Sequence, residues 1–167
     1  MGLIQVATAT VTSAVASVTL TGIDDDSVYM VTHNNWSPVD DTVVCRFRVT
    51  KSGTAQSDAN YDSASKSIAS DTSFGNSALS NNTDFQYSFM GNGTGETSNA
   101  ILYLYNFNSS SEFSYLTFDE VREIQTPASR GEQGGGVHTV ASASDGIQFR
   151  YHSGNVASGT FTLYKVI

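Results

Sequence analysis

The sequence predicts an all-β protein, a single-domain, jelly-roll-like β-sandwich of about eight to ten strands. Composition is the first reason: serine, threonine and glycine make up about a third of the 167 residues, together with eight tyrosines and nine phenylalanines. This mixture favours strands and polar loops over helices. The second reason is that residues 43–49, 101–105 and 147–151 follow the two-residue period of a strand. A chain of this length can bury a core without disulfides.

Strands are predicted where apolar and β-branched residues recur between turn-forming segments. Their ranges are 4–11, 15–21, 28–33, 42–50, 84–90, 100–107, 113–119, 137–143, 146–152 and 159–166. Residues 51–82 are rich in serine and weakly patterned, so they are predicted as a long loop with a short helical turn at 59–64. Residues 122–136 are predicted as a second long loop that ends in three glycines.

The last two strands are predicted to form a hairpin, because only residues 153–158 connect them. Both strands alternate, and this alternation places Phe161 and Leu163 toward the core beside Phe149 and Tyr151.

The N-terminal strand or arm, residues 1–12, is predicted to be distinct from the sandwich domain of residues 13–167. Ile4 and Val6 are among its few large apolar side chains, so it would bury little in its own core. Two alternatives follow: an arm that adds to the sheet edge of a neighbouring subunit, or an edge strand of its own subunit. Ile4 and Val6 are assembly candidates in the first case.

Strand 101–105 is apolar on both faces, with Ile101, Tyr103 and Tyr105 alternating with Leu102 and Leu104. One face would meet the core, and a loop or a neighbouring subunit would cover the other. We therefore name Leu102 and Leu104 as assembly candidates and expect a homo-oligomer, most simply a homotrimer.

The net charge of −8 argues against nucleic acid as a partner, since phosphate binding needs clustered cations. Arg46 and Arg48 supply at most a two-residue basic spot on a solvated sheet face. The first twenty residues carry no signal-peptide pattern, and no segment is apolar enough for a membrane span. The chain is therefore expected to be made in the cytoplasm.

No catalytic signature is present, so neither an enzyme nor a cofactor is predicted. The three histidines form no zinc-binding pattern, and no Gly-x-Ser-x-Gly elbow occurs. His33 and His152 are expected to face solvent at strand ends. Cys45, the single cysteine, alternates with apolar residues and is expected to be buried and unreactive.

Two surface features suggest ligands. Asp24, Asp25 and Asp26 offer carboxylate oxygens to calcium, although consecutive aspartates on a turn usually stay solvated. Trp36, in a loop beside Pro38, would be a stacking platform for carbohydrate if exposed, or a plug at the end of the sandwich if buried.

The segment Ser158–Tyr164 resembles the SGTFTLYG-type strand that ends many small virion structural proteins of tailed bacteriophages, especially those of aquatic and cyanobacterial hosts. Ala14–Asp24, Arg46–Arg48 and Leu102–Asn106 are similar to other strands of these proteins. Lys165 departs from the pattern, which often has glycine there.

The resemblance implies a virion component, most simply a capsid decoration or cement protein that contacts the major capsid protein or other virion proteins. The alternative is a tail fibre, tail-tip or adaptor protein that contacts a glycan on the host surface. A free lectin-like binder is a third possibility.

Overall fold

The computed structural model describes residues 2–124 and 129–167, with only the backbone at Ser88. Its described residues form strands, turns and loops and contain no helix. The strands are β1 (Leu3–Val11), β2 (Ser17–Thr21), β3 (Tyr29–Pro38), β4 (Val43–Lys51), β5 (Thr54–Ala55), β6 (Tyr61–Ala69), β7 (Phe74–Asn82), β8 (Phe85–Met90), β9 (Ser98–Tyr105), β10 (Ser114–Glu123), β11 (Ser129–His138), β12 (Gly146–Tyr151) and β13 (Val156–Val166).

The strands form two antiparallel sheets that pack as a single-domain β-sandwich, which confirms the predicted fold class. The large sheet has eight strands in the order β1-β13-β3-β9-β10-β11-β6-β7. The small sheet has the order β2-β12-β4-β5, and β8 also pairs with β4. The strands outnumber the eight to ten predicted because both predicted long loops contain strands.

The core lies between the sheets and is dense in aromatic rings. Trp36 of β3 packs edge-on against Phe149 of β12, with ring centroids 5.7 Å apart. On β4 the predicted inward positions are all buried, and Cys45 is completely buried among them, as predicted. Burial raises the pKa of its thiol well above the ordinary value, so the thiol stays protonated.

Strand β13 occupies an inner position of the large sheet, between β1 and β3. The predicted hairpin with β12 is wrong, because β12 belongs to the small sheet and the connection crosses from one sheet to the other. Phe161 nevertheless faces Phe149 at 5.2 Å, as the alternation predicted, but across the sandwich rather than along a hairpin.

The N-terminal strand β1 pairs with β13 of the same chain, from Leu3 opposite Val166 to Val11 opposite Gly159. It is the edge strand of the large sheet, which is the second of the two alternatives left open by the sequence. Ile4 is half exposed, whereas Val6 packs partly against the core.

The predicted loop at residues 51–82 is wrong, since it contains β5, β6 and β7. The helical turn expected at residues 59–64 is absent, because residues 61–64 belong to β6 and residues 59–60 lie in the non-helical segment before it. Serine occupies alternate positions of β6, so the strand lacks the apolar period by which strands are recognised.

The predicted loop at residues 122–136 is also wrong where the structure describes it. Strand β10 continues to Glu123, and β11 contains all three consecutive glycines; residues 125–128 lie outside the described part. Gly136 has a packing reason, because a Cβ there would lie 2.6 Å from the ring of Phe85. Glycine therefore permits close approach of the two sheets here.

Replacing Phe161 with alanine should lower the free energy of unfolding by about 3–5 kcal/mol, because the ring is fully buried between the sheets. Urea denaturation would measure the change. Phe113→Ala, at a partly exposed loop residue, is the control and should have a much smaller effect. Deleting residues 159–167 should abolish folding, because β1 would lose its strand partner and β3 one of its two, which leaves the large sheet interrupted. A truncated chain that still unfolds cooperatively would contradict this assignment.

Candidate functional site

The outer face of five adjacent strands of the large sheet is open to solvent. Pairing from β9 through β10, β11 and β6 to β7 aligns its side chains in rows across the sheet. We call this surface the open face. Its residues are Asn99, Ile101, Tyr103, Tyr105, Tyr115, Thr117, Asp119, Val121, Glu123, Gly131, Gln133, Gly135, Val137, Asp62, Ala64, Lys66, Ile68, Phe74, Asn76 and Ala78.

The open face is largely apolar. Five of its large side chains are between 44% and 69% exposed: Ile68, Phe74, Ile101, Tyr115 and Val121. Its charged residues are Asp62, Lys66, Asp119 and Glu123. The Gln133 amide donates to Asp119 at 3.1 Å, and the Lys66 ammonium lies 5.6 Å from the centre of the Phe74 ring. Few charges and several aromatic residues are typical of the centre of a protein interface.

The dimensions of the open face also suit a protein interface. Five strands of about nine residues span on the order of 700 Å² at ordinary strand spacing and rise. Specific interfaces bury about 800 Å² on each partner. A shallow groove of about 450 Å³ runs beside Ile101 and Val121. A second groove, of about 490 Å³, runs over Ala64, Ala78 and Gly135, where small side chains leave room for a partner's side chains.

Strand β9 carries the predicted division into two apolar faces. Leu102 and Leu104 are completely buried in the core, so they cannot contact a partner directly. Ile101, Tyr103 and Tyr105 point to the open face instead. The assembly candidates on this strand are therefore corrected to the odd-numbered residues, because only tertiary packing decides which face becomes the core.

Beneath the open face, a hydrogen-bonded chain of polar groups crosses the interior. The Tyr87 hydroxyl donates to Nε2 of His33 at 2.5 Å, and Nδ1 of His33 lies 3.3 Å from the carbonyl of Ser98. The Ser98 hydroxyl donates to Oε1 of Glu120 at 2.6 Å. Since a carbonyl can only accept, these partners assign the ring proton of a neutral His33 to Nδ1.

The chain continues through a buried triad of charged groups. Arg122 contacts Glu120 through Nη1 and lies 2.9 Å from Oε2 of Glu132 through Nη2. The Ser65 hydroxyl donates to the other oxygen of Glu132 at 2.5 Å. All three charged residues are at most 3% exposed. Two carboxylates thus share one guanidinium away from water.

Burial sets the protonation of this network. It raises the pKa of Glu120 to about 7, against the opposing attraction of Arg122. It lowers the pKa of His33 to about 3, so the ring stays neutral at neutral pH. Burial also lowers the pKa of His138 to about 4, and the charge of Lys51 acts in the same direction. His33 is buried, which corrects its expected solvent exposure, while His152 is exposed as predicted.

The small sheet carries a second cluster of charges on its outer face. The two-residue basic spot predicted at Arg46 and Arg48 is joined by Arg150 of β12, and all three arginines bind the buried carboxylate of Asp84. The Thr83 hydroxyl donates to the same carboxylate at 2.7 Å. Burial raises the pKa of Asp84, but these hydrogen bonds and cations outweigh it, so the pKa lies below its ordinary value. Cross-strand pairing of Arg46 with Arg150 brings the cluster together.

The predicted carbohydrate platform is absent at Trp36, because this side chain is completely buried between the sheets. The structure therefore supports the alternative of a plug inside the sandwich. Its ring lies 4.9 Å from that of Tyr151.

The aspartate turn is tied to the terminal strand. Lys165 contacts Asp25, and the Tyr29 hydroxyl donates to Asp24 at 2.8 Å. The hydrogen bond from Lys165 lowers the pKa of Asp25. The described residues contain no group of three or more histidine, cysteine, aspartate or glutamate side chains placed to hold a metal ion. They also contain no helix of the length and hydrophobicity that a membrane span requires.

No family model and no curated protein matches the chain. Two solved structures of infectious bursal disease virus align with it, the VP2 subviral particle and the Gx strain, at 12% and 11% identity and TM-scores of 0.13 and 0.12. Each alignment covers 99% of this chain but only 40% of the viral chain. With TM-scores this low, neither alignment is evidence of a shared fold or function.

Acidification from pH 6.5 to 4.5 should lower the melting temperature. The pKa values of His33 and His138 are depressed on folding, so the stability they contribute is present above pH 6.5 and lost as the pH falls toward about 3 and 4. Glu120 acts oppositely, because its raised pKa gives stability below pH 4.5 that is lost as the pH rises through about 7. Between pH 4.5 and 6.5 the loss of stability from the two histidines therefore exceeds the gain from the single Glu120.

Glu120→Gln should therefore make the loss of melting temperature on acidification steeper, since the opposing group no longer titrates. Calorimetry across this pH range measures the slope, which is independent of any uniform destabilisation. Glu112→Gln, at an exposed carboxylate in the loop before β10, is the matched control. Equal slopes for the two variants would contradict the assignment of the raised pKa to Glu120.

Replacing Asp84 with asparagine should lower the free energy of unfolding by about 3 kcal/mol, because three guanidinium groups would lose their shared buried anion. Asp58→Asn, at an exposed turn, should change it by less than about 0.5 kcal/mol. Chemical denaturation measures both. Equal free energies of unfolding for the two variants would show that water fully replaces the Asp84 carboxylate as a partner of the arginines.

Proposed function

We propose that the chain is a structural protein of a bacteriophage virion, and specifically a capsid decoration protein that stabilises the head through protein–protein contacts. The open face carries this proposal, because a solvated sheet face with several exposed large apolar side chains fits burial in an assembly. The resemblance of the terminal strand to phage structural proteins supports the choice of a virion.

The occupant of the open face is a neighbouring copy of this chain in a homotrimer. The area of the open face is close to that of one side of a standard interface, and the charged residues of the open face are few. In a ring of three copies the open face of each subunit would contact a second, different surface of the next subunit, since a contact between two identical faces closes a dimer.

The edge strand β1 is the proposed contact with the major capsid protein. Leu3 and Ile4 are 46% and 51% exposed there. The outer edge of β1 has no strand partner among the described residues. A neighbouring chain could therefore extend the large sheet through backbone hydrogen bonds.

The double variant Ile101→Asp with Val121→Asp should convert a trimer into a monomer, because two desolvated carboxylates would be unfavourable at the centre of the interface. Light scattering measures the mass. The melting temperature of the isolated subunit should change little, as both side chains are exposed. Val39→Asp, at an equally exposed residue outside the open face, should leave the trimer intact.

A wild-type chain that remains monomeric at all concentrations would overturn the trimer. Location in the virion is tested separately by copy number in purified particles. Hundreds of copies per particle would support decoration of the head, and a few copies would favour the tail-tip or adaptor alternative. Absence of the chain from purified virions would overturn the virion assignment.

A further inference from the structure

The inner face of the large sheet becomes polar where the open face lies on its other side. Alternation in β6 and β7 directs Ser65, Ser67 and Ser77 toward the interior. Inward positions of a sandwich normally carry apolar side chains, because a buried hydroxyl without a partner is destabilising. The end of the sandwich near β7 therefore has an interior suited to polar groups.

The small sheet does not close this end completely. A cleft of about 290 Å³ lies there, with Ser65, Ser67, Ser77, Phe89, Arg130 and Glu132 among its lining residues. Phe89 of β8 is 52% exposed and forms an apolar wall. Gly75 keeps the cleft open, since a Cβ there would lie 2.5 Å from the hydroxyl of Ser67. The volume is near the lower limit for small-molecule sites.

The polar groups of the cleft include both donors and acceptors. The carboxylate of Glu132 is held in place by Arg122 and by the Ser65 hydroxyl. Nε of Arg130 is buried and has no hydrogen-bond acceptor among the described residues. Serine hydroxyls can donate and accept.

These groups define the chemistry of the ligand. A carboxylate in the lining disfavours an anion, while the hydroxyls and the guanidinium disfavour a purely apolar molecule. A neutral ligand with several hydroxyl groups and one apolar face satisfies both the polar lining and Phe89. A sugar ring has this combination.

We propose that the cleft binds a single saccharide unit, with Phe89 against the apolar face of the ring and with Arg130, Glu132 and the serines bonded to its hydroxyls. The site is distinct from the buried Trp36, and it goes beyond the proposed structural function. It lies on the inner side of the large sheet, and of its lining residues only Asn76 belongs to the open face, so a sugar and a protein partner would overlap little.

The test is an NMR titration of the full ¹⁵N-labelled chain with glucose, galactose, N-acetylglucosamine and rhamnose, followed by a glycan array. We expect at least one sugar to shift the amide signals of Ser65, Ser67, Ser77 and Arg130. Phe89→Ala should weaken that binding about tenfold, since it removes the apolar wall. Arg130→Gln should weaken it as well.

Phe113→Ala is the matched control, because this phenylalanine is also partly exposed but does not line the cleft. It should leave the affinity within about twofold of the wild type. Absence of binding in both the titration and the array would overturn the proposal, as would binding that Phe89→Ala leaves unchanged. The oligomeric state of Phe89→Ala should match the wild type, so failure of this site is distinguishable from failure of the proposed assembly.

Discussion

Contact between aromatic rings of the two sheets is the interaction on which the rest of the structure depends. Phe149 of the small sheet lies 5.7 Å from Trp36 and 5.2 Å from Phe161 of the large sheet, while Tyr87 of β8 lies 4.9 Å from Phe118 of β10 in the large sheet. Rings of this size contribute most to core packing. Once these rings point inward, the two-residue alternation of side chains sets which residues of the same strands point outward. A register shift of one residue would exchange the inward and outward faces of a strand.

The far end of the large sheet inverts the usual distribution of polarity. Across β6 and β7 the apolar residues Ile68 and Phe74 point to solvent, whereas Ser65 and Ser67 point inward. The buried triad around Arg122 borders this polar interior, and each carboxylate in it has both a serine and an arginine partner. The proposed assembly surface and the proposed sugar cleft are therefore opposite sides of the same inverted strands.

Prediction from the sequence succeeded where one face of a strand is strongly apolar. The patterns at 43–49, 101–105 and 147–151 correspond to β4, β9 and β12. It failed at 51–82 and 122–136, where serine and glycine occupy the inward positions and leave no apolar period to detect. The cleft was missed for the same reason, because its serines resemble those of a loop. A regular recurrence of serine at every second position of 63–67 was the available signal.

The sequence by itself determined the all-β class, the burial of Cys45 and the strands whose alternation is apolar, because side-chain period is a local property of the backbone. Only the tertiary structure decided that Leu102 faces the core while Ile101 faces solvent, and that Arg150 joins Arg46 and Arg48 around Asp84. The two-residue alternation of a strand shows which residues share a face, but it does not show which face packs against the other sheet. That choice depends on strand order and on contacts between residues far apart in the chain.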